Sequence, residues 1–120
     1  SGISEGDERR NIDNLMTNLR KLVEEVNCGM FVVSHLKRVD SKTGHEEGIQ
    51  TSLSHLRGSH SLAQLSDAVI GFERDQQSET ENNIMTVRVL KNRFTGDTGV
   101  ACDLIWNKDT GRLVEGNFDE

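Results

Sequence analysis

Lys91 and Arg93 are the residues of this sequence best placed to do chemistry. They follow a strand-like run, Ile84 to Leu90, at positions i and i+2. Side chains two apart leave a strand on the same face. A turn built from Gly96, Asp97 and Gly99 follows at once. Two cations therefore project one way from the end of a strand, where a loop begins, and such a pair suits a phosphate. The 120 residues hold no phosphate loop to go with it: none of the glycines is followed by lysine, so G-x-x-x-x-G-K-S/T does not occur. Cations without a cradle point to one part of a larger machine. The bland alternative is a solvated edge-strand pair, since lysine on an edge guards against aggregation.

Three further positions have the right chemistry. His35 comes directly after the apolar run Met30 to Ser34. In open α/β sheets ligands sit at the carboxyl ends of strands, so a polar residue there can reach a bound phosphate. A structural, hydrogen-bonded histidine is the other reading. Arg57, Gly58, Ser59 and Ser61 precede a short helical pattern carrying Gln64. Backbone N–H groups at a helix start attract phosphate, and Arg57 adds charge; an ordinary helix cap accounts for the same residues. Gln64 could relay between two ligands or simply cap a surface. Arg74 follows the apolar segment Val69 to Phe72 and occupies the same kind of strand-end position, unless Glu73 or Asp75 holds it in a salt bridge. Other chemistry is set aside. His45, His55 and His60 lack a metal-ligand spacing, so no metal site is expected. Ser34-His35 lacks the G-x-S-x-G of a nucleophile elbow. The pairs Glu24-Glu25 and Glu46-Glu47 read as solvated faces.

The elements that must position these residues follow from periodicity. Residues 7–27 read as a helix, with Ile12, Leu15, Met16, Leu19, Leu22, Val23 and Val26 forming one apolar stripe. Ser4 with Asp7 resembles a capping box, and Asn27-Cys28-Gly29 suits a left-handed helix end. Met30 to Ser34 is short, continuous and β-branched, the pattern of a strand buried on both faces of a parallel sheet. Residues 35–54 read as a long polar loop, and Ser59 to Ser66 as a short helix. Strands are expected at Ala68 to Phe72, Ile84 to Leu90 and Ala101 to Trp106. A tight turn at Asn107 to Gly111 then leads into a terminal hairpin strand, Arg112 to Val114. This is an α/β pattern: a mixed sheet with flanking helices in one domain spanning residues 1–120.

Composition narrows the class. Hydrophobic residues make up 33% and charged residues 28%, and no apolar run approaches the ~20 residues that span a bilayer. The two cysteines, Cys28 and Cys102, lie beside apolar residues and read as reduced, buried thiols rather than a disulfide framework. A net charge of −6 argues against coating nucleic acid by bulk charge, but it leaves room for a local basic site. Aromatic residues are only 4%, which disfavours base stacking and leaves backbone tracking as the mode of strand binding. The absence of proline has no functional account.

Taken in order, several segments resemble the DnaB-like hexameric replicative helicases. They are Glu5-Gly6-Asp7-Glu8-Arg9-Arg10, Val32-Val33-Ser34-His35-Leu36-Lys37, Leu56-Arg57-Gly58-Ser59, Gln64-Leu65-Ser66-Asp67, Glu73-Arg74-Asp75-Gln76-Gln77 and Leu90-Lys91-Asn92-Arg93-Phe94-Thr95-Gly96-Asp97-Thr98-Gly99. Within that family the pattern is most similar to the bifunctional primase–helicases of T-odd bacteriophages, relatives of mitochondrial Twinkle. The resemblance implies the C-terminal half of a RecA-like core. The phosphate-loop lysine, the catalytic glutamate and the magnesium-holding aspartate would lie upstream of Ser1, and this piece alone would be inactive. It implies a ring, a hexamer, that hydrolyses ATP (or dTTP) with Mg2+ at subunit interfaces and moves along single-stranded DNA. His35 would sense the γ-phosphate. Lys37, Arg38 and the rest of the loop to residue 56, with Arg57, Gly58 and Ser59, would line the channel and contact DNA. Gln64 would couple DNA to nucleotide. Arg93 would be the arginine finger into the neighbouring subunit, with Lys91 beside it and Arg74 as an additional interface cation. Primase and DNA polymerase are the implied protein partners. A cytoplasmic setting in a bacterial host is implied, mitochondrial for a Twinkle-like protein, with no membrane. A recombinase- or clock-type RecA-like ATPase, and a stand-alone non-catalytic binding module, are the rival readings.

Overall fold

A long helix and a four-stranded sheet divide the chain between them. The computed structural model describes residues 5–36, 50–56 and 60–116. Helix α1 runs Glu5–Val26, about 33 Å at 1.5 Å per residue. It ends as its sequence predicts: Asn27 takes φ 59°, and the N–H groups of Asn27 and Cys28 both reach the carbonyl of Val23, at 2.9 and 3.3 Å. Asparagine tolerates this left-handed position, and the returning N–H groups satisfy a carbonyl the helix leaves open. Ser4 of the expected capping box lies outside the described residues. The apolar stripe of α1 is only partly covered. Met16 is buried, while Leu15, Leu22 and Val26 stand exposed.

A 3-10 turn at Leu53–His55 and a one-turn helix α2, Ser61–Gln64, precede the sheet. Strands β1 Ala68–Arg74, β2 Ile84–Asn92, β3 Gly99–Asn107 and β4 Arg112–Glu115 follow in a meander, β1-β2-β3-β4. Every pairing is antiparallel. The strand positions and the terminal hairpin match the sequence pattern, with β2 running two residues further so that Lys91 lies inside it.

Three expectations need correction. Met30 to Ser34 forms no strand: Phe31 and Val33 are fully exposed, and the nearest ladder contact is an isolated antiparallel bridge between Leu36 and Leu56. A doubly buried strand needs a hydrogen-bonding neighbour alongside, and the described residues place none there. The described sheet is accordingly antiparallel, not mixed. Cys28 is exposed at the helix end, while Cys102 is half-buried in β3, and both are free thiols.

Strand β1 inverts the usual patterning. Along β1 the covered positions are Val69, Gly71 and Glu73, and the exposed ones include Ile70 and Phe72. The covered face of β1 thus holds Glu73 and its ion pair (below), while the large side chains Ile70 and Phe72 face out. A β-bulge falls where Val69 pairs with Lys91 and Ile70 with Val89, leaving Leu90 as the extra residue immediately before Lys91. Bulges twist a strand and re-aim the side chains beside them.

Candidate functional site

The end of β2 is where the two cations are placed. Asn92 fixes the turn that follows. Its Oδ1 accepts the N–H groups of Phe94 and Thr95 at 3.1 and 3.3 Å, and its carbonyl accepts that of Gly96 at 2.7 Å. Gly96 sits at φ 79°, a conformation that glycine adopts without strain. Arg93 is held at its own backbone too, its N–H reaching the Asp67 carbonyl at 2.8 Å. From this platform both side chains reach the same place. Lys91 Nζ donates to the carbonyls of Ala63 at 2.6 Å and Gln64 at 3.3 Å. Arg93 Nη2 donates to the Gln64 carbonyl at 3.1 Å, and Nη1 to Asp67 Oδ1 at 2.6 Å. The last carbonyls of a helix lack intrahelical partners and accept cations readily. The cation pair is therefore docked on the C-terminal end of α2.

Asp67 serves a second arginine. Arg20, from the middle of α1, donates Nη1 to Asp67 Oδ2 at 3.1 Å and Nε to Glu24 Oε1 at 3.2 Å. Hydrogen bonds from Arg20 to Asp67, then to Glu24, raise its pKa beyond the ordinary arginine value. One carboxylate thus holds two guanidinium groups, one on each oxygen. The Arg93, Asp67 and Arg20 side chains are 42%, 40% and 31% exposed. This cluster stands in contact with water.

A second cluster lies on the covered face of the sheet. Glu73 Oε2 accepts Thr51 N at 2.8 Å, Thr51 Oγ1 at 2.8 Å and Arg88 Nε at 2.7 Å. Arg88 Nη2 reaches Oε1 at 3.3 Å. Burial pushes the Glu73 carboxyl up, but Arg88 and the two Thr51 donors outweigh it and hold the group below the ordinary glutamate range. Thr51 is fully buried and rests on Gly71 of β1. Through Glu73, Thr51 is tied to Arg88 of β2, three residues before Lys91.

The other predicted positions are dispersed. His35 is exposed, with its carbonyl accepting Ser34 Oγ at 3.3 Å. Arg74 is exposed at the end of β1, where it lines a shallow depression with Asp75, Glu81, Ile84 and Thr86. The Glu73 half of the alternative reading, a salt bridge from Arg74 to Glu73 or Asp75, is not what Glu73 makes; that carboxylate is paired with Arg88. Gln64 joins the cluster through its backbone carbonyl, and its residue is otherwise exposed. Lys37, Arg38, Arg57, Gly58 and Ser59 lie outside the described residues. Among the described residues no group of three or more His, Cys, Asp and Glu could hold a metal, and no helix is long and apolar enough to cross a membrane. Sequence reasoning missed Asp67, Arg20, Thr51 and the Glu73–Arg88 pair. Asp67 carried a faint signal, a carboxylate between a short helix and a strand; Arg20 carried none.

Comparison with known proteins gives a coherent result. The family described as DnaB-like helicase C terminal domain matches residues 2–115. The DNA helicase/primase of Enterobacteria phage T3 is 43% identical over 118 residues, which is 98% of this chain and 21% of that protein. The chain thus spans about a fifth of the length of the relative it matches.

Proposed function

Because the chain belongs to the DnaB-like helicase C-terminal domain family, whose core is RecA-like, we propose that it is the section of a replicative helicase motor that reads a neighbour's nucleotide and grips single-stranded DNA. Arg93 is the arginine finger, aided by Lys91 and, further out on the interface, by Arg74. His35 reports the state of the γ-phosphate. Lys37, Arg38, Arg57, Gly58 and Ser59 contact the DNA backbone, and Gln64 couples the two ligands. The working assembly is a ring, a hexamer, that uses ATP or dTTP with Mg2+. A primase belongs to the same replication apparatus, as the name of the phage relative suggests, and a DNA polymerase is its further partner. The cradle for the triphosphate and its metal belongs to other parts of the motor, since these 120 residues contain no phosphate loop.

A bound nucleoside triphosphate supplies the phosphoryl transfer; this segment supplies charge. Phosphoryl transfer depends on electrostatic stabilisation more than on covalent chemistry, and a finger arginine is worth ~10³–10⁵ in rate. One observation carries the reading: Lys91 and Arg93 are both bonded to the C-terminal carbonyls of α2, the element that directly follows residues 57–59. In this reading α2 is the link between the proposed DNA-contacting residues and the cations.

The test is subunit mixing in the helicase that contains this segment. Arg93→Ala subunits are titrated into wild type while DNA-stimulated hydrolysis is followed. Activity should fall faster than the mutant fraction rises. Activity that simply tracks the wild-type fraction would mean that Arg93 does not act across a cooperative interface.

A further inference from the structure

We propose that Asp67 is a positioning residue that latches Arg93 onto its own subunit and releases it for catalysis only when α2 moves. The inference rests on the finger reading of Arg93 and adds a control element to it. A finger must present a free guanidinium to a neighbour's phosphate. Here the guanidinium is turned inward: Nη1 is on Asp67 Oδ1 at 2.6 Å and Nη2 on the Gln64 carbonyl at 3.1 Å. Its charge is committed to a carboxylate while it stays there.

The latch is built to open. Asp67 divides its single charge between Arg93 and Arg20, so neither arginine is fully neutralised. The pair is 42% and 40% exposed, and water-exposed pairs are weak. A phosphate carrying more than one negative charge outcompetes a shared carboxylate. The second half of the latch, the Gln64 carbonyl, belongs to α2. A displacement of α2 takes that acceptor away. Arg20 keeps Asp67 tied to α1 when Arg93 leaves, so the latch can close again.

The experiment uses the intact helicase and measures nucleotide hydrolysis with and without single-stranded DNA. Asp67→Asn is close to isosteric and removes the charge. It should raise DNA-free kcat by about three- to fivefold, the reach of an exposed ion pair, with KM for nucleotide unchanged. The DNA-saturated rate should stay at the wild-type level, so stimulation by DNA shrinks by the same factor. Asp67→Glu, which keeps the charge, should restore DNA dependence. Arg20→Ala leaves Asp67 to Arg93 alone and should not raise the DNA-free rate. If Asp67→Asn does not fold, Asp67→Ser removes the same charge and must give the same rise. A fall in both rates would make Asp67 a brace, not a latch, and would overturn the proposal. So would an unchanged DNA-free rate, or a rise that Arg20→Ala reproduces. Arg93→Ala separates the two levels of inference. If it abolishes hydrolysis while Asp67→Asn is silent, the latch alone fails. If Arg93→Ala leaves hydrolysis intact, the finger reading itself is lost.

Discussion

Glu73 and Asp67 both hold arginine, and they do so in opposite settings. Glu73 and Arg88 lie on the covered face of the sheet with side chains 7% and 18% exposed, and Thr51 fills the remaining acceptor positions. Asp67 lies at the surface, shares itself between Arg20 and Arg93, and leaves all three side chains in contact with water. The chemistry is the same and the environment decides its use. A buried pair cannot be opened without stranding a charge, so it is a fixture. A wetted pair opens at small cost, so it can take part in a cycle. The fixture ties Thr51 to β2; the movable pair lies at the C-terminal end of the same strand and includes the proposed finger.

The comparison breaks most directly at Glu73. Glu73→Ala should destabilise the protein by about 3 kcal/mol, because it leaves the Arg88 charge and the Thr51 donors without their acceptor. Urea denaturation measures this. A loss below about 1 kcal/mol would mean that the buried cluster behaves like a surface pair. Gly71→Ala strikes the same cluster from beneath. A methyl group there would overlap Thr51 Oγ1 and approach Thr51 Cβ to 2.9 Å. The expected cost is about 2 kcal/mol, in the range of overpacking, and the double variant with Thr51→Ala, which removes the overlapping hydroxyl, should cost less than the sum of the two single variants.

How much of this was legible beforehand depends on distance along the chain. The helix, its end at Asn27 and the four strands are written in local periodicity and turn residues, and they fell where expected. The convergence of Lys91 and Arg93 was legible for the same reason, since it needs only the two-residue period of a strand. What they converge on was not. Arg20 is 47 residues from Asp67 and Thr51 is 22 from Glu73, and nothing local marks such pairs. Glu73 was hidden by composition: a glutamate in Phe72-Glu73-Arg74 reads as the wet position, whereas here the phenylalanine faces out and the carboxylate faces in. Met30 to Ser34 misled in the other direction. An apolar run records what a segment can pair with, and pairing needs strands alongside, which the described residues do not provide.

Acid separates the clusters more gently than deletion does. Glu73 has a folded pKa below its ordinary value of 4.5. The unfolded chain therefore takes up this proton first as pH falls, and the stability that Glu73 contributes is present above pH 4.5 and lost below it, as pH drops through the folded pKa. Glu73→Gln should flatten that part of the stability–pH curve while lowering the plateau at neutral pH. If wild type and Glu73→Gln lose stability in parallel below pH 4.5, other carboxylates carry the acid response.

The smallest effect is the most discriminating. Arg20→Ala removes one half of the open cluster, and its pairs are partly exposed, so the stability cost should stay under about 1 kcal/mol. Part of that cost belongs to the lost apolar stem of the side chain, whose burial does not depend on ionic strength. The charge part should fade when salt rises from ~0.15 M, where the screening length is ~8 Å, to ~1 M, where it is ~3 Å. Glu73→Ala should show no such fading, because screening ions do not enter a buried pair. Melting both variants at the two salt concentrations therefore asks a single question of the two carboxylates. If Arg20→Ala proves as insensitive to salt as Glu73→Ala, Asp67 is bound too firmly to exchange partners, and an arginine held that firmly could not serve a neighbour's phosphate.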